Sequence, residues 1–255
     1  MFGYIRYFMK EIMKYFIPME LLSSSDVITF DDFIFVKCFI YDLTIGYFYT
    51  QHMMKNVLKY LPSNSKILDI GIGTCYTYFK NIDILERKNI RVVGVDIDEA
   101  YSTYAKYYIN KYKLDERISI INKDIYEVKE NYDVMKDFNI ILFSDSYAVI
   151  PNVFDMIEYS RRFLCDKGTI VIVSTLFDNY NYIIDMIKRN MIYVTFVDYG
   201  KMMIKSDIID YYDDYSINIQ PVNITFTEIN RKNIPLINYQ LKTYIVDIKY
   251  NDLNA

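Results

Sequence analysis

The feature that most constrains this chain is a rhythm between residues 66 and 177, where five short apolar runs recur. They are KILDI (66–70), IRVVGVDI (90–97), RISIINKDI (117–125), FNIILFSDS (138–146) and GTIVIVSTLF (168–177). Each is short, rich in Ile and Val, and bounded by turn or polar residues, so each reads as a strand. The runs are apolar throughout rather than alternating, the pattern of strands covered on both faces. Segments between them, such as EAYSTYAKYYINKYKL (99–114) and VFDMIEYSRRFLC (153–165), have helical character. Strands alternating with helices at this spacing predict βαβ units wound into a parallel α/β sheet.

Both ends break the rhythm. Ser23–Asp26 offer capping side chains, and residues 27–62 read as helical and apolar up to the turn Pro62-Ser63-Asn64-Ser65. After the fifth run, YNYIIDMIKRN (180–190) and SDIIDYYDDY (206–215) read as helices. INIQPVNITFTEI (217–229) and YQLKTYIVDIKY (239–250) then read as two strands with no helix between, an antiparallel pair expected at the sheet edge. The expected architecture is α/β: a doubly wound, mostly parallel sheet of seven strands with an antiparallel final strand over residues 63–255, and a helical N-terminal cap over residues 1–62.

The first 22 residues, MFGYIRYFMKEIMKYFIPMELL, are too interrupted by Arg6, Lys10, Glu11, Lys14 and Pro18 to span a bilayer. They are amphipathic: Arg6, Lys10 and Lys14 share one helical face, and Ile5, Phe8, Met9, Ile12 and Phe16 another. An apolar face packed on the domain is expected, with peripheral membrane contact through residues 1–22 as the alternative. The net charge of −4 argues against a nucleic-acid partner, as do the sparse basic residues; RKN at 87–89 and 231–233 reads as solvated turns. Cys38, Cys75, Cys165 and the single His52 lack metal-ligand spacing, so no metal is expected and the chain reads as a reduced, cytoplasmic protein.

The turn after the first strand carries the chemistry. Gly71 and Gly73 let backbone approach a ligand, and Asp96, 25 residues after Gly71 at the end of the second strand, suits ribose hydroxyls. The dinucleotide pattern G-x-G-x-x-G fails at Tyr76, and Asp69 at the end of the first strand would repel a pyrophosphate. A ligand with positive charge near the turn fits better. ILDIGIGTCYT, VVGVDID, INKDIYEV, FNIILFSDSYAVIPN and LCDKGTIVIVSTLF, in this order, resemble the successive motifs of class I S-adenosylmethionine-dependent methyltransferases, which have a Rossmann-like sheet.

The resemblance implies S-adenosylmethionine as cofactor and methyl transfer as reaction. It implies that Asp69 serves the methionine amino group, with Gly71 and Gly73 beside the methionine moiety. Asp96 would hold the ribose hydroxyls, Ile97 would pack on the adenine, and Asp124 would accept from its amino group, with Ile125 as its apolar neighbour. Ser144 and Asp145 would line the cleft where donor and acceptor meet, and Asp145, Tyr147 or His52 are the general-base candidates. Two positions depart from the pattern: Cys75 stands for a small glycine, and Val149 stands where many small-molecule members carry His. SDSY follows the fourth strand in place of an N/D-P-P-Y/F sequence, which argues against the amino-methyltransferases of adenine or glutamine. The motifs resemble those of small-molecule members, quinone and lipid methylating ones included, and an aromatic, Met-rich cap from residues 1–60 and 190–214 suits an apolar or amphipathic acceptor of lipid or quinone type. The alternative is a catalytically inactive methyltransferase-like module that binds S-adenosylmethionine or a partner.

Overall fold

The computed structural model describes residues 2–15, 17, 19–27, 29–128, 135–195, 198–219, 221–229 and 242–251. Seven strands form one sheet: β1 (Lys66–Ile70), β2 (Arg91–Asp96), β3 (Ile118–Asn122), β4 (Phe138–Ser144), β5 (Leu164–Leu176), β6 (Val222–Ile229) and β7 (Lys242–Tyr250). Their order is β3-β2-β1-β4-β5-β7-β6. The first five strands pair in parallel, and β7 runs antiparallel to both its neighbours. The seven-strand expectation holds, with the antiparallel pair at the sheet edge. Within that pair the last strand lies between β5 and β6. Burial explains the placement: β7 is apolar and buried along most of its length, whereas β6 largely alternates between exposed and half-buried residues, as an edge strand with one wet face does.

The helices are α1 (Phe2–Met13), α2 (Phe30–Tyr41), α3 (Gln51–Tyr60), α4 (Tyr76–Phe79), α5 (Ile82–Arg87), α6 (Glu99–Tyr112), α7 (Val153–Ser160), α8 (Tyr182–Asn190), α9 (Ile192–Thr195) and α10 (Lys205–Asn218). A π-helical stretch, Asp42–Thr50, joins α2 to α3. Two short helices, α4 and α5, follow β1, and α10 takes residues 217 and 218 from the expected sixth strand. The start of α2 is also later than expected: Thr29, not Ser23–Asp26, caps it in a reciprocal box with Asp32.

Alternate strand residues feed two cores. Leu68, Val93, Ile141 and Ile172 pack on one side with Ile157 of α7 and Ile208 of α10. Ile67, Val92, Ile140 and Val171 pack on the other with Leu58 of α3, Leu85 of α5 and Ala105 of α6. Each large aliphatic side chain buried this way contributes roughly 1.5–3 kcal/mol. Lys88, expected in a solvated turn, instead donates to the Leu58 and Lys59 carbonyls at 3.0 and 2.7 Å and closes the end of α3. The second RKN, at 231–233, lies outside the described residues.

Helix α1 departs from the expected orientation: Met13 packs inward, but so does Lys10 of the basic face, while Arg6 stays exposed. Lys10 is 1% exposed. Its ammonium donates to Asp32 Oδ2 at 2.6 Å and to Ser23 Oγ at 2.8 Å. Burial alone would raise the Asp32 pKa, but the Lys10 ammonium and the Thr29 and Ser23 amides hold it well below the usual carboxylate range. The buried ion pair turns Tyr4, Phe8 and Ile12 outward, Phe8 being 59% exposed. Phe16, Pro18 and the Ile5 side chain lie outside what is described. Among the described residues no helix is long and apolar enough to cross a membrane.

Candidate active site

Strand order reverses between β1 and β4, so the loops leaving their carboxyl ends diverge and open a crevice. The chain leaves β1 through Gly71 (φ +77°) and Gly73 (φ +63°), backbone conformations that side chains resist. The Gly71 N–H donates to the Val95 carbonyl at 2.8 Å. A Cβ on Gly71 would lie 2.5 Å from Ser146 Cβ. Ser146 in turn donates to the Ile70 carbonyl at 2.6 Å, so the turn after β1 and the loop after β4 are pressed together at the switch point. Cys75 also has a left-handed backbone, φ +62°. That conformation costs an L-residue about 1–2 kcal/mol and explains why glycine suits the position. Burial pushes the Cys75 thiol well up, so it is packing, not a thiolate.

A cavity of about 1100 Å³ opens above these strand ends. Its β1–β3 half is walled by Gly71, Gly73, Asp96, Ile97, Asp124 and Ile125. Asp96 Oδ2 accepts from the Gly73 N–H and Oδ1 from the Asp98 N–H, each at 2.8 Å. A carboxylate has about four acceptor sites, so capacity remains for a ligand's hydroxyls. Burial raises the Asp96 pKa, and the two amide hydrogen bonds oppose it. Ile97 is 73% exposed, an apolar shelf beside that carboxylate. Asp124 accepts from the Tyr126 N–H at 3.0 Å, so it caps a short helical turn while also facing the cavity. Tyr41 and Tyr101 complete this half, their ring centroids 5.5 Å apart, with the Lys37 ammonium 4.4 Å from the Tyr101 ring. Lys37 is held there by an ion pair with Asp98.

Asp69 sits beneath the turn rather than on the cavity wall. Its Oδ2 accepts from Tyr78 Oη at 2.6 Å, and its Oδ1 has no partner among the described residues. Burial pushes its pKa up to about 7. The β4–β5 half is walled by the loop after β4, including Asp145 and Val149, by Phe177, and by Ile184, Ile187 and Lys188 of α8. Asp145 has φ +56°, a strained setting for a non-glycine, and its N–H donates to the Val173 carbonyl at 2.9 Å.

Residues 61–210 match the family described as "Methyltransferase domain". The chain belongs to this methyltransferase family. No curated protein matches it. Among solved structures, it is similar to the plantazolicin methyltransferase BpumL in complex with a pentazolic desmethylPZN analog and SAH, with TM-score 0.57 and 15% identity over 87% of this chain and 91% of that one. It is similar to magnesium protoporphyrin IX methyltransferase ChlM from Synechocystis PCC 6803 with bound SAM, with TM-score 0.52 and 13% identity over 82% of each chain. It is also similar to the mitomycin 7-O-methyltransferase MmcR, with TM-score 0.55 and 13% identity over 79% of this chain, but spans only 54% of that one. At these identities the likeness is one of fold.

S-adenosylmethionine is the cofactor of this methyltransferase, and the site residues fit it. Two glycines with positive φ clear space for backbone contact, and Asp96 keeps acceptor capacity for a diol. Of the residues singled out from sequence, Gly71, Gly73, Asp96, Ile97, Asp124, Ile125, Ser144 and Asp145 all line one cavity. Tyr147 does not; its ring is fully buried beside Phe154, and burial raises its pKa. His52 is half-buried on α3, the helix packed against the sheet's other core, and is absent from the cavity wall. Tyr41, Lys188, Asp198 and Tyr199 were not legible beforehand. Only the π-helical stretch directly after Tyr41 marks the first of these as unusual, and no sequence period announces it.

Proposed function

We propose that this methyltransferase methylates an apolar or amphipathic small molecule, of lipid or quinone type, held between the loop after β4 and helix α8. The carrying observation is the continuity of the cavity, whose polar, glycine-lined half runs into a half walled by Val149, Ile150, Met156, Phe177, Ile184 and Ile187. The acids Asp96, Asp124, Asp145 and Asp198 on its wall suit a nucleic-acid backbone poorly. Asp96 is assigned to the ribose hydroxyls, Ile97 and Ile125 to the adenine faces, and Asp124 to the adenine amino group. Gly71, Gly73 and the buried Asp69 are assigned to the methionine end, with Ser144 beside it. Tyr41 is the contribution of the helical cap, residues 1–62, to the site of the 63–255 domain.

S-adenosylmethionine supplies a methyl group already activated on a sulfonium. The chain therefore has to align the acceptor and exclude water. A proton that the acceptor gives up on methylation would pass to the Asp145 carboxylate, which lines the cavity. Asp145 is preferred to Tyr147 because only Asp145 lines the cavity. The outward Tyr4, Phe8 and Ile12 support peripheral membrane contact through residues 1–22. The three free cysteines agree with a reducing, cytoplasmic setting.

The test is transfer of labelled methyl from S-adenosylmethionine to panels of quinols, phenols, lipids, RNA and protein. Turnover on apolar small molecules is expected. Turnover confined to RNA or protein side chains overturns the acceptor class, and S-adenosylhomocysteine binding with no turnover anywhere favours the inactive-module reading. Flotation with vesicles, lost in Phe8→Glu/Ile12→Glu, checks the membrane contact.

A further inference from the structure

The acceptor half of the cavity holds a cation that makes no ion pair among the described residues, although Asp145, Asp185 and Asp198 act on it from farther off. Ile184, Ile187 and Lys188 share one face of α8 and all line the cavity. Among the described residues the Lys188 ammonium makes one hydrogen bond, to the Lys201 carbonyl at 2.9 Å, and no ion pair. An ammonium has three donors, so two are unspent. Its neighbour Arg189 shows the contrast: more exposed, yet paired with Asp185 at 2.8 Å. Helix α8 is also held in place. Asn181 caps it, accepting from Ile183 N and Ile184 N, and the buried Asp185 accepts from the Met202 N–H at 2.6 Å. Lys188 is thus a fixed feature of the wall, not a swinging surface side chain.

Burial lowers the Lys188 pKa, while Asp145, Asp185 and Asp198 act the other way and favour the charged form. In the open cavity water can serve the two remaining donors. An apolar acceptor seated against Ile184 and Phe177 expels that water and would leave two ammonium donors unserved, with only the Lys201 carbonyl in direct contact and the acids farther off, a costly outcome. The cost disappears if the acceptor brings an anionic oxygen, because charge-assisted hydrogen bonds are the strong ones. We propose that Lys188 anchors an acidic oxygen, a carboxylate or phenolate, on the methyl acceptor, so that the substrate class is an apolar body bearing one acid group. This rests on the methyltransferase reading of the cavity. Lys188 acts as a positioning and specificity residue; proton removal stays with Asp145.

The test uses the full chain saturated with S-adenosylhomocysteine and titrated calorimetrically with 2-naphthoic acid and, separately, its neutral carboxamide. The wild type is expected to prefer the acid by roughly tenfold or more. Lys188→Met should abolish that preference while leaving carboxamide and S-adenosylhomocysteine affinity unchanged, and Lys188→Arg should retain it. Equal binding of acid and amide by the wild type, binding of neither, or an unchanged preference in Lys188→Met overturns the proposal. So does a loss of S-adenosylhomocysteine affinity in Lys188→Met, which would assign the lysine to the cofactor's carboxylate. Failure of the wild type to bind S-adenosylhomocysteine at all brings down the methyltransferase reading itself, and this inference with it.

Discussion

The two halves of the cavity are built on different principles. The β1–β3 half is made by the backbone turn after β1 and by single residues at the ends of successive parallel strands: Gly71, Gly73, Asp96 and Asp124. The β4–β5 half is assembled from four separate segments, around residues 144–156, 174–177, 184–188 and 198–199. Two of these are cross-tied, the Lys201 N–H donating to the Ala148 carbonyl at 3.2 Å. The first half is a local consequence of sheet topology, so every member of the fold can reuse it. The second is a tertiary assembly whose side chains are free to vary, and that is where a scaffold of this kind acquires its acceptor.

The largest effect should come from Gly71→Ala, which combines a strained φ of +77° with a Cβ 2.5 Å from Ser146 Cβ. Together these cost about 3 kcal/mol. Denaturant unfolding should reveal that loss, and S-adenosylhomocysteine binding should be abolished with it. Asp96→Ala should follow. On the proposed role of Asp96, loss of its charge-assisted bonds to the ribose should lower S-adenosylhomocysteine affinity by about a hundredfold in calorimetry. If the comparison holds, acceptor-probe binding to the cofactor-free protein falls far less.

Gly200→Ala tests the other half. Gly200 has φ +63°, and an added Cβ would meet the Ala148 carbonyl oxygen at 2.3 Å, forcing apart the two segments tied there. Binding of 2-naphthoic acid should weaken by roughly tenfold, while S-adenosylhomocysteine affinity stays within about threefold of wild type. An equal loss of both ligands would erase the distinction between the halves.

The smallest effect is one of pH. Asp69 and Asp42, the latter accepting from the Thr74 hydroxyl, are both pushed up to about 7 by burial. Each folded pKa lies above the ordinary carboxylate value, so the stability they contribute is complete below about pH 4 and is lost as pH rises through about 7. Asp32 runs the opposite way, its contribution lost only as pH falls below the ordinary carboxylate range. The ligand-free protein should therefore melt at a higher temperature at pH 5.5 than at pH 8. Asp69→Asn keeps an acceptor for Tyr78, and should narrow that difference while weakening S-adenosylmethionine binding. A widened difference would contradict the buried-charge account.

Much of the β1–β3 half of the cavity was legible because strand ends and glycine turns obey local rules. An apolar run, an acid and two glycines specify both a strand and the conformation that follows it. Asp69 was legible as a residue but not in its setting, since only packing decides that Tyr78 covers one oxygen and leaves the other alone. Tyr147 and His52 were singled out by residue type, and the structure keeps both off the cavity wall because one packs beneath the β4 loop and the other rides on α3. Helix α1 misled for a related reason. Amphipathicity says that a helix has two faces, but the buried Lys10–Asp32 pair chooses which one turns inward.

By itself the sequence determined the α/β alternation, the strand positions and the acids and glycines at the strand ends. These follow from hydrophobic period and backbone sterics within a few residues. Tertiary structure alone decided that β7 slides between β5 and β6, that α1 shows its apolar face, and that Lys188 meets Asp145 and Asp198 across one cavity. Those outcomes depend on which distant surfaces bury each other and which charges then lose their water, and neither quantity has a period that a single chain can display.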